Sequence, residues 1–227
     1  MDPLSIGNDE PRWHASIAAV VALALYVSLP PKVTFGPVWI VPILVLVILL
    51  PLSILSPTRR HESKWQRMAS IVLIATISLF NIASVILLII AVLHPTKFTP
   101  FSNGAKLLLA GMQIWITNIL VFAMWYWELD AGGPDTRAHA TSCQEFKRAD
   151  FLFPQMTIAE ETGGVIDEEW KPLFMDYLFV AFTTASAFSP ADTFPLTRLG
   201  KALMMSEAFV SIVTLGVIVS RAVGIIS

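Results

Sequence analysis

The stretch Asp176-Tyr-Leu-Phe-Val-Ala-Phe-Thr-Thr-Ala-Ser-Ala-Phe-Ser-Pro-Ala-Asp192-Thr-Phe-Pro-Leu-Thr-Arg-Leu-Gly-Lys201 joins a short apolar segment to a long one. The short segment, residues 173–188, has about 16 residues and stops at Ser189-Pro190. A helix of this length reaches about 24 Å, which is less than the roughly 30 Å hydrocarbon core of a bilayer. Polar residues follow, and a full-length apolar segment begins at Ala202. This order predicts a re-entrant loop, which membranes tolerate where it is buried in protein or lines a water-filled cavity.

The rest of the chain has the composition of a helical membrane protein. Hydrophobic residues make up 55% and charged residues 14% of the 227 residues, whereas soluble domains carry about 25% charged residues. Segments without Asp, Glu, Lys or Arg cover residues 13–31, 33–58, 68–96, 107–127 and 177–191. A sixth segment, residues 202–227, contains Glu207 and Arg221 as its only charged residues. We therefore predict an all-α, polytopic integral membrane protein with about five transmembrane helices and a re-entrant pore-helix loop.

The chain divides into two units at the end of the third predicted helix. Residues 1–103 form a three-helix membrane region, and residues 104–227 contain the fourth helix, the re-entrant segment and the last helix. Within the second unit, residues 128–172 carry ten acidic and four basic side chains, so we expect a hydrated, acidic loop there. The aromatic cluster Trp125-Tyr126-Trp127 before this loop is typical of a membrane–water boundary.

Three polar residues interrupt the fourth apolar segment, which we expect to form a helix over residues 105–127. They are Gln113, Thr117 and Asn118. Because polar groups inside a membrane need hydrogen-bond partners, we expect these side chains to face other helices rather than lipid.

Residues 176–201 resemble the pore region of the tetrameric potassium-channel-like ion channels, in which an outer helix, a pore loop and an inner helix form the pore module. The resemblance runs without a gap through Phe182-Thr183-Thr184, Asp192, Pro195, Thr197 and Gly200. It implies that Asp176 starts the pore helix, that the fourth helix is the outer helix, and that four copies surround one path for monovalent cations. The pore and filter residues that it implies are Thr183, Thr184, Ala187, Phe188, Ser189, Pro190, Ala191 and Asp192.

The sequence departs from that family at the filter itself. The family's T-V-G-Y-G falls on residues 187–191, which read Ala-Phe-Ser-Pro-Ala. A potassium filter aims rings of backbone carbonyls at a dehydrated ion, and its glycines allow positive φ angles that cost other residues about 1 kcal/mol or more. Ser189 and Ala191 replace both glycines, and Pro190 has its φ fixed at about −65° and lacks an N–H. We therefore expect a weakly selective or normally closed cation pore without potassium selectivity.

The last helix carries three residues to which the resemblance directs attention. Glu207 matches an acid found early in the inner helix, and we favour an internal hydrogen bond for it over contact with an ion. Ser211 stands where that family often has a bending glycine, so bending should be easiest at Gly216. An alternative role for Gly216 is the close approach of a neighbouring helix. The bulky residues around it would narrow a pore, and polar substitutions at Val213 or Val217 should then create leak.

Several function classes are disfavoured by what the sequence lacks. The formal net charge of −2 disfavours a nucleic-acid partner. A single cysteine and scattered histidines disfavour a metal site, and we expect no cofactor. Because no catalytic motif is present, we expect a channel-like protein rather than an enzyme. The alternative is a non-conducting membrane scaffold or sensor whose acidic loop binds a partner. The expected location is a cell membrane, as a multi-pass protein of the bacterial inner membrane type.

Two sequence signals disagree about orientation. The pore resemblance places residues 128–172 outside the cell, and counting back through the helices also places the basic loop 56–67 outside. The positive-inside rule favours the opposite arrangement. We favour the orientation that the pore resemblance implies, with the opposite one as the alternative.

Overall fold

The computed structural model describes residues 13–31, 33, 34, 37, 39–55, 64–93, 104–140, 148–161, 170–189 and 192–226. Within these residues the chain is mostly helical. The elements follow in the order α1 (Trp13–Val27), α2 (Ile40–Leu55), α3 (Lys64–Leu93), α4 (Gly104–Leu129), α5 (Pro134–His139), β1 (Phe151–Leu152), α6 (Pro154–Glu161), α7 (Phe174–Ala187), β2 (Phe194–Pro195) and α8 (Arg198–Ile226).

Three helices are long and apolar enough to cross a bilayer. These candidate spans are Lys64–Leu93, Ala105–Gly132 and Arg198–Val223. The helices α1 and α2 have 15 and 16 residues, which corresponds to about 22–24 Å, less than the roughly 30 Å core of a bilayer. The helical fold and three candidate crossings agree with a membrane protein, whereas the prediction of about five full-length crossings exceeds what the described helices provide.

A two-stranded antiparallel sheet departs from the predicted all-α fold. Its strands, β1 and β2, pair Phe151 with Pro195 and Leu152 with Phe194. Each strand has only two residues, and together they connect the loop after α4 to the start of α8. No local pattern in the sequence predicts this pairing, because the two strands lie more than forty residues apart.

The helix α4 lies at the centre of the bundle. It packs against α1, α3, α7 and α8, and its side chains Ala110, Ile114, Val121 and Ala123 are fully buried. Of the three candidate spans α8 is the least buried by its own chain. Both α7 and α8 also carry large apolar side chains that their own chain leaves exposed, among them Phe179 on α7 and Phe209 and Ile212 on α8.

A sharp turn ends α4 and returns the chain to the bundle. A single 3-10 turn, Asp130–Gly132, follows α4, and α5 begins directly afterwards. Gly132 and Gly133 have φ angles of 87° and 102°, a region that side chains with a Cβ rarely adopt. Glycines followed by a proline are typical of a turn, and Gly132-Gly133-Pro134 forms one here.

Candidate functional site

The helix α7 begins where the sequence places the start of a pore helix. Leu173 precedes its first turn, and the Asp176 carboxylate accepts a hydrogen bond from the Leu173 backbone N–H at 2.7 Å. This contact satisfies one of the free N–H groups at the helix start. Burial raises the pKa of Asp176 above its ordinary value, and the hydrogen bond from Leu173 opposes that rise.

The two threonines near the end of α7 have different surroundings. The Thr183 hydroxyl lies 2.9 Å from the Phe179 carbonyl and 3.0 Å from the Val180 carbonyl, both in its own helix. Thr184 is buried, and its hydroxyl has no hydrogen-bond partner within the described structure. The structure therefore directs Thr184, rather than Thr183, into the protein interior.

The residues at the end of α7 face away from the protein core. Ala187, Phe188 and Ser189 are exposed, and Phe188 ends the helix in the left-handed conformation with a φ of 56°. Asp192 is also exposed. Pro190 and Ala191, on which the predicted departure from a potassium filter partly depends, lie outside the described residues.

The segment after α4 contains buried charges, which corrects the expectation of a fully hydrated acidic loop. Glu128 and Asp130 are fully buried, and Arg137 is 2% exposed. The Arg137 guanidinium donates a hydrogen bond from Nη1 to the Asp130 carbonyl at 2.7 Å and lies over the Tyr177 ring, 5.0 Å from its centroid. These contacts could not be predicted from the acidic composition of residues 128–172, because Asp130 reaches its partners only after the chain turns back.

Asp130 is connected to the start of α7 and, through Asp150, to the chain that precedes α8. Its Oδ2 accepts a hydrogen bond from the Tyr177 hydroxyl of α7 at 2.6 Å, and its Oδ1 accepts one from the Asp150 backbone N–H, also at 2.6 Å. The Asp150 carbonyl in turn accepts a hydrogen bond from the Leu196 N–H at 2.8 Å. The beginning of α7 and the chain that leads into α8 therefore both attach to the end of α4.

A line of polar contacts joins α4 to α8. Tyr126 and Glu207 are both fully buried, and the Tyr126 hydroxyl donates a hydrogen bond to Glu207 Oε2. Closer to the start of α4, Asn118 Nδ2 donates to Ser211 Oγ at 3.1 Å. The order of these pairs shows that α4 and α8 run antiparallel. Glu207 and Ser211 therefore form hydrogen bonds within their own chain, in agreement with the internal hydrogen bond predicted for Glu207.

The other polar residues of α4 behave largely as the sequence indicates. Gln113 Nε2 donates to Ser28 Oγ at 2.8 Å, beyond the end of α1. Thr117 differs, because its hydroxyl donates to the Gln113 carbonyl within α4, at 2.8 Å. Gln113 and Asn118 thus make contacts beyond α4, whereas the Thr117 hydroxyl bonds within α4.

The aromatic cluster at the end of α4 packs inside the protein rather than facing lipid headgroups. Tyr126 and Trp127 are buried, and the Trp127 ring meets Phe174 edge-on with centroids 6.1 Å apart. Trp125 is half-buried and its Nε1 donates to Ser78 Oγ on α3 at 2.9 Å. The sequence missed Tyr126 as a site residue. Tyr126 and Asn118 are eight residues apart, which places both on one face of α4. This spacing could have indicated that Tyr126 contacts the same helix as Asn118.

The glycine that allows α8 to approach another helix is Gly111, which the sequence did not single out. A Cβ added at Gly111 would lie 2.6 Å from Ile218 Cγ1, whereas one added at Gly216 would meet nothing within 4 Å. Close approach to a helix of the same chain therefore does not explain Gly216. Gly111 lies seven residues before Asn118, on the face of α4 that contacts α8.

Gly111→Ala should lower the free energy of unfolding by about 1–3 kcal/mol relative to Gly216→Ala, because the added methyl group overlaps Ile218. Both substitutions add the same helix-favouring methyl group, so their comparison isolates the overlap. Unfolding in mixed micelles, followed by circular dichroism, measures the difference. Equal stabilities for the two variants would show that Ile218 or α8 moves aside at no cost, and would contradict tight packing at Gly111.

The residues predicted to narrow the pore have different exposures on α8. Val213 and Val217 are half-buried and pack against the core of their own chain. The exposed face contains Val219, which is one of the bulky residues near Gly216 expected to narrow a pore, together with Met205, Phe209, Ile212 and Gly216 itself. Val213 and Val217, at which polar substitutions were expected to open a path, therefore lie on the packed side of α8.

Within the described residues, no group of three or more His, Cys, Asp or Glu side chains is placed to hold a metal ion. Comparison of the chain with protein-family models, with curated proteins and with solved structures finds no match.

Proposed function

We propose that the chain is one subunit of an oligomeric membrane pore for monovalent cations, with α7, the following loop and α8 along the path. The observation that carries this proposal is that the segment from α7 to α8 is attached at both ends to the end of α4. Tyr177 bonds Asp130, and Leu196 bonds Asp150. Because α7 has 14 residues, it extends about 21 Å from this attachment. This geometry supports a re-entrant loop, in which the chain enters the membrane and returns to the same side.

The exposed end of α7 supports a preference for cations. The last carbonyls of a helix lack internal partners and carry partial negative charge. At the end of α7 the neighbouring residues Ser186, Ala187, Phe188 and Ser189 are exposed, so this end of the helix lies at the surface of the described chain. Non-helical backbone at membrane depth needs water or protein around it. A shared aqueous path between subunits would supply that water, and a cation would be attracted to it.

The proposed pore is a homotetramer that is weakly selective or normally closed, in a cell membrane. One subunit supplies only part of a pore wall, and a closed ring of subunits completes it. The exposed faces of α7 and α8 are the surfaces that such a ring would bring together. In this arrangement α1 and α2 would be additional, tilted or partly inserted membrane segments at the periphery, which would give the five segments that the sequence indicates.

Gly216→Trp tests the assembly. A Cβ added at this exposed position meets no atom of its own chain within 4 Å, so the fold should persist. A bulky indole on the shared face should prevent the ring of subunits from closing. Leu79→Trp, on the exposed face of α3, is the matched control and should assemble normally. Native mass spectrometry measures subunit number. We expect four subunits for the parent and for Leu79→Trp, and fewer for Gly216→Trp. Monomers alone for the parent protein would contradict the shared pore.

Recordings from purified protein in bilayers test conduction. We expect potassium to be preferred over sodium by no more than a few-fold. A ratio above about one hundred, equal to roughly 2.7 kcal/mol of discrimination, would contradict the argument from residues 187–191. Complete silence over a range of pH, ions and voltage would favour the alternative function, a scaffold or sensor that uses residues 128–172 to bind a partner.

A further inference from the structure

Asp130 is the most highly connected buried acid in the described structure. It lies in the 3-10 turn after α4 and is fully buried. Its carboxylate accepts three hydrogen bonds: from Asp150 N–H at 2.6 Å, from Phe151 N–H at 3.3 Å and from the Tyr177 hydroxyl at 2.6 Å. One carboxylate therefore contacts both the first turn of α7 and the segment that forms β1.

Asp150 extends this connection to the chain that enters α8. Its carboxylate accepts a hydrogen bond from the Thr197 hydroxyl, and its carbonyl accepts one from Leu196 N–H at 2.8 Å. The Thr197 oxygen also accepts a hydrogen bond from the Gly200 N–H at 3.1 Å, in the first turn of α8. The pairing of β1 with β2 adds backbone contacts between the same two segments. These contacts thus fix the part of the loop that directly precedes α8.

Arg137 contacts both Asp130 and Tyr177. Its Nη1 bonds the Asp130 carbonyl, and its guanidinium covers the ring of Tyr177. The Asp130 backbone and the Tyr177 ring are therefore fixed by the same side chain. Charged groups buried with several hydrogen bonds are rigid, because the loss of any one partner leaves a costly unsatisfied group.

We propose that Asp130 is a positioning residue that fixes both ends of the segment from α7 to α8 and so sets where the exposed residues 186–189 and Asp192 lie. The role of this segment in lining a conduction path rests on the proposed function, whereas its attachment to Asp130 is independent of that function. Loss of the carboxylate should release the first turn of α7 and the returning loop together, whereas loss of one hydroxyl should release only the end to which it belongs.

Spin labels on the intact protein in lipid nanodiscs test this inference. The only cysteine, Cys143, is first changed to serine, and one label is placed at Met175→Cys, Asp192→Cys or, as a distant reference, Trp65→Cys. In Asp130→Ala, the rotational correlation times of the labels at 175 and 192 should fall about threefold, into the faster loop regime. The label at 65 should be unchanged. Asp130→Asn should restore most of the order, because its amide oxygen still accepts the two backbone hydrogen bonds.

Two single-contact variants separate the ends. Tyr177→Phe should mobilise the label at 175 more than that at 192, and Thr197→Val should do the reverse. Thr76→Val, whose hydroxyl bonds only the Val72 carbonyl of α3, is the matched control and should change neither label. Unchanged mobility at 175 and 192 in Asp130→Ala overturns the proposal, as does an equal increase at 65. If Asp130→Ala does not fold, the single-contact variants decide, and no response at either end overturns it. The labels need no ion flux, so a failure of the pore proposal remains distinguishable.

Discussion

Ile212→Ser should raise cation flux through the reconstituted protein about tenfold, equivalent to lowering the barrier by about 1.4 kcal/mol. Ile212 lies in the middle of α8 and is 50% exposed, on the face that its own chain does not cover. In the proposed pore, this face surrounds the path, and a ring of isoleucine side chains in a narrow passage excludes water. A serine hydroxyl would hold water there and lower the barrier to a hydrated ion.

Val213→Ser is the matched control, because Val213 is the next residue but packs against the core of its own subunit. We expect it to lower stability without raising flux. Fluorescence measurement of ion entry into liposomes, at equal protein content and with subunit number checked, gives both values. Equal flux for Ile212→Ser and the parent would mean that this face of α8 meets lipid or another protein rather than a water path. Higher flux for Val213→Ser than for Ile212→Ser would reverse the assignment of faces.

The ends of the main helices could be predicted closely because strong local signals mark them. The predicted short segment, residues 173–188, corresponds to α7 at Phe174–Ala187, and the predicted fourth helix, residues 105–127, corresponds to α4 at Gly104–Leu129. Ser189-Pro190 and the Gly132-Gly133 turn are local features that limit helices. The last helix begins slightly earlier than predicted, at Arg198, because charged residues in a first turn do not prevent a helix.

The contacts of the buried acids could not be predicted, because they depend on which distant segments meet. Asp130 and Tyr177 are 47 residues apart, and Tyr126 and Glu207 are 81 apart. From the sequence alone, Asp130 belongs to a run of acidic residues and Tyr126 belongs to an aromatic cluster. Composition indicates an exposed location for both, but the return of the chain after α4 buries them.

The sequence also could not show which face of α8 is packed and which is exposed from its apolar residues alone. An apolar helix in a membrane protein has little hydrophobic contrast between its packed and exposed sides, so periodicity does not distinguish them. Polar residues do distinguish them here. Glu207, Ser211 and Thr214 recur at helical spacing and are all fully buried, and this stripe marks the side of α8 that faces α4. The opposite side follows from it and contains Ile212 and Gly216.

Tyr126→Phe should lower the free energy of unfolding by about 1–3 kcal/mol, the usual cost of leaving a buried polar group without its partner. The Tyr126 hydroxyl is the one hydrogen-bond donor to the Glu207 carboxyl group in the described structure, and the other carboxyl oxygen, Oε1, has no partner there. Phenylalanine keeps the ring, which packs edge-on against Phe151 with centroids 5.0 Å apart. The substitution therefore removes the donor and preserves the shape.

The double variant Tyr126→Phe with Glu207→Met separates the hydrogen bond from the packing. Removal of both polar partners, with similar volumes retained, should be nearly neutral, so the double variant should be more stable than Tyr126→Phe alone. Thr214→Val is the control, because Thr214 is buried in α8 but its hydroxyl bonds only the Val210 carbonyl of its own helix. Reversible unfolding in bicelles measures all four proteins. Interhelical hydrogen bonds in membranes average about 0.6 kcal/mol, so a loss no larger than that of Thr214→Val would show that Glu207 finds another partner when Tyr126 is removed.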